Sequence, residues 1–124
     1  MSKILLVEDN ETNQDVISTQ IKLLGHGVDV ADDGVQGLEK WQTGVYDLVL
    51  TDCHMPEMDG FQMTDHIRRL EAHSSLPTTP IVAITANALQ GEAEKCLAAG
   101  MDAYLSKPVE LARLKETLDQ WLQY

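Results

Sequence analysis

Short apolar runs alternate along the chain with longer segments in which apolar residues recur every three or four positions. Five runs predict strands, at residues 4–7, 28–31, 48–50, 81–84 and 103–105. Nearly continuous aliphatic runs are typical of parallel strands that are covered on both faces. The run at 28–31 alternates with a polar residue, which favours a strand at the edge of the sheet.

The segments between the runs have helical periodicity. Their apolar stripes are Ile17, Ile21 and Leu24; Val35, Leu38 and Trp41; Met63, Ile67 and Leu70; Leu89, Ala93 and Leu97; and Leu111, Leu114, Leu118 and Trp121. Glycine near a helix end and Asp or Pro near a helix start are the expected boundary signals. They occur at Gly25, Gly44, Gly100, Asp59 and Pro108. Residues 72–80 contain two of the four prolines and predict a surface loop.

Five strand–helix units in a row predict an α/β fold. Because crossovers between parallel strands are right-handed, the alternation favours an open, doubly wound parallel sheet of five strands with helices on both faces. The chain has 124 residues, a length that fits one domain over residues 1–124.

Composition and charge narrow the possible functions. Hydrophobic residues make up 44% of the chain, and 20 acidic residues against 9 basic ones give a formal net charge of −11. This charge argues against nucleic-acid binding and favours cationic partners, metal ions included. No apolar run approaches the roughly 20 residues that span a bilayer, and the start does not resemble a signal peptide. We therefore expect a cytoplasmic domain without membrane contact, in which Cys53 and Cys96 are reduced thiols.

Charged or hydroxyl-bearing side chains follow four of the five apolar runs. Glu8 and Asp9 follow the first run, Asp52 the third, Thr85 the fourth and Lys107 the fifth. The carboxyl ends of parallel strands form the crevice in which open α/β sheets bind ligands. The sequence therefore predicts that these dispersed residues meet in one site.

The residue types in this set indicate a chemistry. Glu8, Asp9 and Asp52 would bring three like charges together, which is costly unless a cation neutralises them, and oxygen ligands of this kind suit Mg²⁺. Lys107 adds a point charge and Thr85 a hydroxyl donor. A carboxylate, a divalent cation, a lysine and a hydroxyl together suit phosphoryl transfer, in which the carboxylate can itself be the nucleophile.

Four separated segments, at residues 5–10, 50–60, 84–88 and 100–108, carry a family likeness. In order and spacing, the chain resembles the receiver domain of two-component response regulators, the CheY-like superfamily. It is most similar to the receivers of hybrid sensor histidine kinases. The resemblance implies a flavodoxin-like (βα)5 fold with strand order 2-1-3-4-5 and a role in phosphorelay signalling.

The resemblance also implies roles for single residues around the acceptor. Asp52 would accept a phosphoryl group from a phosphohistidine of a histidine kinase or a histidine-phosphotransfer protein. Asp9, Asp52 and the backbone carbonyl of His54 would ligate Mg²⁺ (or Mn²⁺), and Glu8 would help through a bound water. The side chains of His54 and Asn87 would flank the path of attacking water and so modulate the lifetime of the phosphorylated state.

The remaining implied roles concern the switch. Thr85 would donate its hydroxyl to the acyl phosphate, and Lys107 would pair with it from the other side. The peptide bond between Lys107 and Pro108 is a candidate for the cis form. Tyr104 matches the switch aromatic of the family: phosphorylation would draw Thr85 toward the new oxygens and vacate space into which Tyr104 can turn.

Three other functional classes are alternatives to the phosphoacceptor hypothesis. An aspartyl-nucleophile phosphatase of the haloacid-dehalogenase type typically needs a second Asp two residues after the nucleophile, where this chain has His54. A flavin binder would want a phosphate loop rich in Ser, Thr and Gly, whereas residues 8–11 are mostly acidic. A phosphate-independent interaction domain is a third possibility. The sequence leaves open the cognate kinase, the output, the oligomeric state and membership of a longer hybrid kinase, which could be a membrane sensor.

Overall fold

The computed structural model describes residues 2–86 and 91–122, and within them strands and helices alternate. The strands are β1 (Lys3–Val7), β2 (Gly27–Ala31), β3 (Leu48–Asp52), β4 (Ile81–Thr85) and β5 (Ala103–Ser106). The helices are α1 (Glu11–Leu23), α2 (Gly34–Trp41), α3 (Gly60–Ser74), α4 (Glu92–Ala98) and α5 (Leu111–Trp121). All five predicted strands are confirmed. Asn87 and Leu89 lie outside the described residues.

The strands form one parallel sheet in the order β2-β1-β3-β4-β5, which confirms the predicted fold class and strand order. The strand predicted at the edge, β2, is an edge strand. Val7 at the end of β1 pairs with Ala31 and with Thr51, and Asp52 pairs with Ile84. The strands thus end nearly level with one another at one edge of the sheet.

Side chains alternate between the two faces of each strand, and each face carries its own apolar core. Ile4 and Leu6 of β1 belong to the core under α1 and α5, together with residues such as Ile21 and Leu118. Leu5 and Val7 belong to the core under α2, α3 and α4. Both faces are therefore covered, as the continuous apolar strands predict.

Most predicted helix boundaries are confirmed. The carboxylate of Asp59 accepts a hydrogen bond from the backbone N–H of Gln62, and the Gln62 side chain accepts one from the backbone of Asp59, so that a capping box begins α3. Gly25 and Gly100 follow the ends of α1 and α4 with positive φ values of 91° and 105°. A side chain at either position would be strained, and this suits glycine to stopping a helix.

Several predictions about helices are wrong. Val35 of the predicted α2 stripe and Leu111 of the predicted α5 stripe are each 41% exposed. Leu97 of the predicted α4 stripe is 52% exposed, and Glu92 and Cys96 are buried in its place. The predicted loop at 72–80 begins too early, because α3 continues to Ser74 and ends at Ser75, whose φ is 55°. A helix of about two turns offers too few apolar positions to specify its buried face, and the tertiary contacts specify it instead. Among the described residues, no helix is long and apolar enough to span a membrane.

Candidate functional site

Three carboxylates meet at the carboxyl edge of the sheet. Glu8 and Asp9 follow β1, and Asp52 is the last residue of the neighbouring β3. One oxygen from each carboxylate lies within 4.8 Å of the others. Glu8 is fully buried, Asp52 is 7% exposed and Asp9 is exposed to solvent. The structure therefore brings together the acids that the sequence places 44 positions apart at the most.

The ammonium group of Lys107, the residue that follows β5, also lies in this cluster. Nζ of Lys107 donates to Oδ2 of Asp52 at 3.1 Å and to Oε1 of Glu8 at 3.3 Å. The backbone N–H of Lys107 donates to the carbonyl of Thr85 at 2.9 Å, which holds the end of β5 against the end of β4. The peptide bond between Lys107 and Pro108 is cis, the form that the resemblance implies.

The electrostatics of the site reflect burial and crowding of like charges. Burial, together with the hydrogen bond and the negative charge of Asp52, raises the pKa of Glu8 to about 7. Burial disfavours the charged form of Lys107, but hydrogen bonds and the charges of Asp52 and Glu8 outweigh it, so the pKa of Lys107 is raised. One ammonium thus does not offset the negative charge of the carboxylates.

This donor set fits a divalent cation with hard oxygen ligands. Mg²⁺ is usually bound by one or two carboxylates with waters and phosphate oxygens, and three convergent carboxylates, one of them open to solvent, meet that requirement. The surplus negative charge gives a physical reason for such an ion. The observation supports the predicted magnesium site through the chemistry of its ligands.

The backbone around the acceptor is tightly constrained. The N–H of Cys53 donates to Oδ1 of Asp52 at 2.9 Å, which orients the carboxylate, and the N–H of Gly60 donates to the carbonyl of Cys53 at 3.0 Å. A Cβ at Gly60 would lie 2.3 Å from the carbonyl oxygen of Asp52. Only glycine fits this close approach, and it brings the start of α3 against the end of β3.

Thr85 and Tyr104 lie on the strands beyond β3. Thr85 ends β4 one residue after Ile84, the pairing partner of Asp52, and it is 1% exposed. Tyr104 of β5 pairs with Ala83, two residues before Thr85. Register partners and residues two apart along a strand point to the same face, so Tyr104 and Thr85 share a face. The Tyr104 side chain points largely outward, with 43% exposure.

Two further residues contact the site at this edge and were not predicted from the sequence. Asn13 of α1 lies beside the carboxyl group of Glu8 and counteracts the rise in its pKa. Glu92 of α4 is buried and accepts a hydrogen bond from Nε2 of His54 at 2.5 Å. Neither contact has a signal in local periodicity, because each depends on how a helix packs beside the strand ends. Asn87, predicted to flank the site, lies outside the described residues.

Similarity to known proteins shows the family of this chain. A family model described as "Response regulator receiver domain" matches residues 4–119. The chain belongs to this family. The match includes all five strands apart from Lys3, and all the predicted site residues. This match confirms the receiver-domain family that the four sequence segments predict.

Relatives and solved structures agree with this assignment. The sensor histidine kinase RcsC of Salmonella typhi is 44% identical over 115 residues, which cover 93% of this chain and 12% of the kinase. The receiver domain of a sensor histidine kinase from Pseudomonas aeruginosa, which has a magnesium ion coordinated in its active-site cleft, is 44% identical with a TM-score of 0.87. That similarity covers 97% of this chain and 96% of the other.

A third comparison concerns a complex. The receiver domain of the response regulator Ssk1 of Saccharomyces cerevisiae, solved with the histidine phosphotransfer protein Ypd1, is 28% identical with a TM-score of 0.90, covering 97% of this chain and 88% of that chain. The present chain spans between 6% and 16% of the length of four curated histidine kinases that it matches. Nothing in these comparisons supports the phosphatase alternative.

Proposed function

We propose that Asp52 accepts a phosphoryl group from a phosphohistidine of a histidine kinase or a histidine-phosphotransfer protein, in a reaction that depends on Mg²⁺ or Mn²⁺. The observation that carries the proposal is the carboxylate of Asp52 itself. It lies beside two further carboxylates, with the ammonium of Lys107 at 3.1 Å. The complex of a similar receiver with a phosphotransfer protein supports the proposed class of donor.

The proposed chemistry uses the side chains of the site in distinct roles. A carboxylate oxygen of Asp52 attacks phosphorus as the P–N bond to the donor imidazole breaks. The electron pair of that bond leaves with the imidazole, which carries a proton on its other ring nitrogen and departs neutral. Lys107 and the hydroxyl of Thr85 then pair with phosphoryl oxygens, whose negative charge spreads in the transition state.

The carboxylates would provide the metal site. Glu8, Asp9 and Asp52, with the backbone carbonyl of His54, would hold Mg²⁺, which when bound neutralises charge on the phosphoryl oxygens. Because Asp9 is exposed, an ion at this site would be accessible to solvent and to an incoming phosphoryl group.

The phosphorylated state would be read out through Thr85 and Tyr104. Thr85 is buried and shares a face with Tyr104, whose ring lies outward. When the Thr85 hydroxyl moves toward the phosphoryl oxygens, space opens beside it and Tyr104 turns inward. Phosphorylation favours this second state only through the contacts that it gains there.

The direct test is chemical phosphorylation. The protein is incubated with acetyl phosphate and Mg²⁺, and intact-protein mass spectrometry measures the addition of one phosphoryl group. We expect the adduct in the wild type and in Asp47→Asn, which changes an exposed carboxylate at the opposite end of β3. We expect none in Asp52→Asn or in the presence of EDTA. An adduct of wild-type yield in Asp52→Asn would overturn the proposal.

We further infer that this domain is a phosphoacceptor module that catalyses only its own phosphorylation and dephosphorylation. It would act in the cytoplasm, where kinases draw phosphate from ATP, either within a longer hybrid kinase or as a separate chain. Incubation with a small phosphate ester distinguishes a phosphoacceptor module from a phosphatase. For a phosphoacceptor module we expect no more than one phosphate released per protein molecule. Sustained multiple turnover would instead indicate a phosphatase.

A further inference from the structure

The two residues that directly follow Asp52 both contact α4. Sγ of Cys53 lies 3.5 Å from Sγ of Cys96, and Nε2 of His54 donates to Oε1 of Glu92 at 2.5 Å. Glu92 and Cys96 are four residues apart and so lie on the same face of α4, one turn from each other. The acceptor segment is therefore attached to this helix at two adjacent points.

The contact with Glu92 restrains an otherwise exposed ring. The side chain of His54 is 63% exposed, whereas that of Glu92 is 8% exposed. The ring of His54 also meets the ring of Phe61 of α3 edge-on, at 5.9 Å between centroids. Exposed side chains commonly exchange rotamers within nanoseconds. The buried carboxylate on one side and the aromatic ring on the other hold the imidazole in one place, between α3 and α4.

We propose that Glu92 is a positioning residue that acts through His54 to slow hydrolysis of the phosphoryl group on Asp52; this inference rests on the proposed function. Hydrolysis requires water to approach phosphorus in line with the Asp52 oxygen that leaves. The imidazole, anchored two residues from the acceptor, obstructs that approach, and its Nε2–H is engaged by Glu92. A released ring leaves the path open for part of the time, so the phosphoryl group is lost faster.

The neighbouring contact separates this effect from the position of the helix. Cys53 and Cys96 are both fully buried, and they join the acceptor segment to α4 independently of Glu92. Truncation of the Glu92 side chain therefore leaves α4 attached to the end of β3. The expected change is confined to the His54 ring.

The test measures how fast the phosphorylated protein decays. The protein is phosphorylated with acetyl phosphate and Mg²⁺, the donor is removed, and the remaining adduct is followed by intact mass. In Glu92→Ala we expect a half-life shorter by about three- to tenfold, as befits the loss of one hydrogen bond that holds the ring. Glu92→Gln keeps an acceptor oxygen at the same place, and we expect it to retain most of the wild-type lifetime.

Two controls isolate the role of the contact. Glu94→Ala removes an exposed carboxylate from the same first turn of α4, and we expect no change in lifetime. His54→Phe keeps a ring but removes the donor, and in that background Glu92→Ala is expected to have no further effect. If Glu92→Ala shows no cooperative unfolding transition and is therefore not properly folded, Glu92→Leu is used instead. The leucine side chain fills the buried volume but offers no hydrogen-bond acceptor.

The outcomes distinguish this inference from the function on which it rests. No adduct in the wild type would refute the proposed phosphoacceptor role. An adduct that forms normally but decays at the wild-type rate, or more slowly, in the folded Glu92 variant would refute the role of Glu92 alone. Equal acceleration by Glu94→Ala, or additive effects of the Glu92 and His54 substitutions, would refute it as well.

Discussion

Two clusters of charged side chains lie at opposite ends of the sheet and differ in how their charges are satisfied. The first, the Arg68 cluster, consists of Arg68, Glu71 and Asp102 near the start of β4. The guanidinium of Arg68 donates to Glu71 at 2.7 Å and to Asp102 at 2.9 Å. It also donates to the backbone carbonyls of Thr79 and Gly100, both at 2.9 Å.

The acids of this cluster also have backbone donors. The N–H of Thr79 donates to Glu71 at 2.7 Å, and the N–H of Ile81 donates to Asp102 at 2.9 Å. The cluster thus joins α3 to the segments that precede β4 and β5 with hydrogen bonds made within the protein. Such a fully connected network stabilises one arrangement of the chain and needs no ligand.

The second cluster, the carboxyl-end cluster, consists of Glu8, Asp9, Asp52 and Lys107. Within the described part of the chain, the ammonium that contacts these carboxylates is that of Lys107. The pKa of Glu8 is raised to about 7 as a result of burial and of the neighbouring Asp52. Acids that are satisfied by a guanidinium and by backbone N–H groups therefore indicate a structural role, whereas carboxylates in excess at the strand ends indicate a site for an external ion.

The largest expected effect is the loss of folding stability when the cation of the Arg68 cluster is removed. Arg68→Met would leave the buried Glu71 and the half-buried Asp102 without their shared cation, and we expect the free energy of unfolding to fall by about 3 kcal/mol. Urea unfolding measures it. Arg69→Met, which removes an exposed pair with Asp65, should cost less than about 0.5 kcal/mol. A loss of Mg²⁺ affinity in folded Arg68→Met would contradict the assignment of a purely structural role to the Arg68 cluster.

A second prediction concerns Mg²⁺. If the carboxyl-end cluster binds the ion only in the folded state, a hundredfold excess over its dissociation constant raises the free energy of unfolding by about 2.7 kcal/mol. Asp9→Asn should lose most of this increment, because it removes a ligand. Asp102→Asn, from the Arg68 cluster, should begin from a lower stability yet keep the full increment. Equal responses of the two variants would contradict the assignment.

A third prediction concerns pH in the metal-free protein. Because the pKa of Glu8 is raised from 4.5 to about 7 on folding, the folded state binds more protons than the unfolded state between these pH values. The contribution of Glu8 to stability is therefore complete at low pH and is lost as the pH rises through 7. Glu8→Gln mimics the protonated form, so it should nearly match the wild type at pH 4.5 and exceed it by about 2 kcal/mol at pH 6.

Unfolding curves at several pH values test this difference directly. Parallel stabilities of the wild type and Glu8→Gln across the range would show that Glu8 does not carry the excess charge of the cluster.

The smallest effect is expected where a charged pair belongs to neither cluster. Lys115 and Asp119 form an exposed pair one turn apart on α5, at 2.8 Å. Lys115→Gln should lower the free energy of unfolding by about 0.3–0.5 kcal/mol at low salt and by nothing measurable at 1 M salt. A loss comparable to that of Arg68→Met would mean that burial does not separate these classes of ion pair.

The position of the site could be predicted from the sequence because it depends on local patterns and one topological rule. Apolar runs define the strands, and the residues that follow them must gather at one edge of a parallel sheet. Glu8, Asp52 and Lys107 are 99 positions apart at the most, yet this rule was sufficient to place them together. Boundary signals such as the Asp59 cap are equally local.

Contacts between elements were not predictable in the same way. The buried face of α4 was predicted wrongly, because seven residues carry too little periodicity and the contacts with Cys53 and His54 orient the helix. The Arg68 cluster gave no signal either, since its three members look like ordinary charged residues until the loops before β4 and β5 are in place.

By itself, the sequence determined the order of strands and helices, the family, and the kinds of side chain available at the strand ends, since each of these follows from residue type and spacing along the chain. Only the tertiary structure decided which charged groups find partners within the protein and which carboxylates remain in excess. This outcome depends on burial and on partners from distant segments, so a carboxylate such as Glu71 or Glu8 acquires its physical character only when the chain has folded around it.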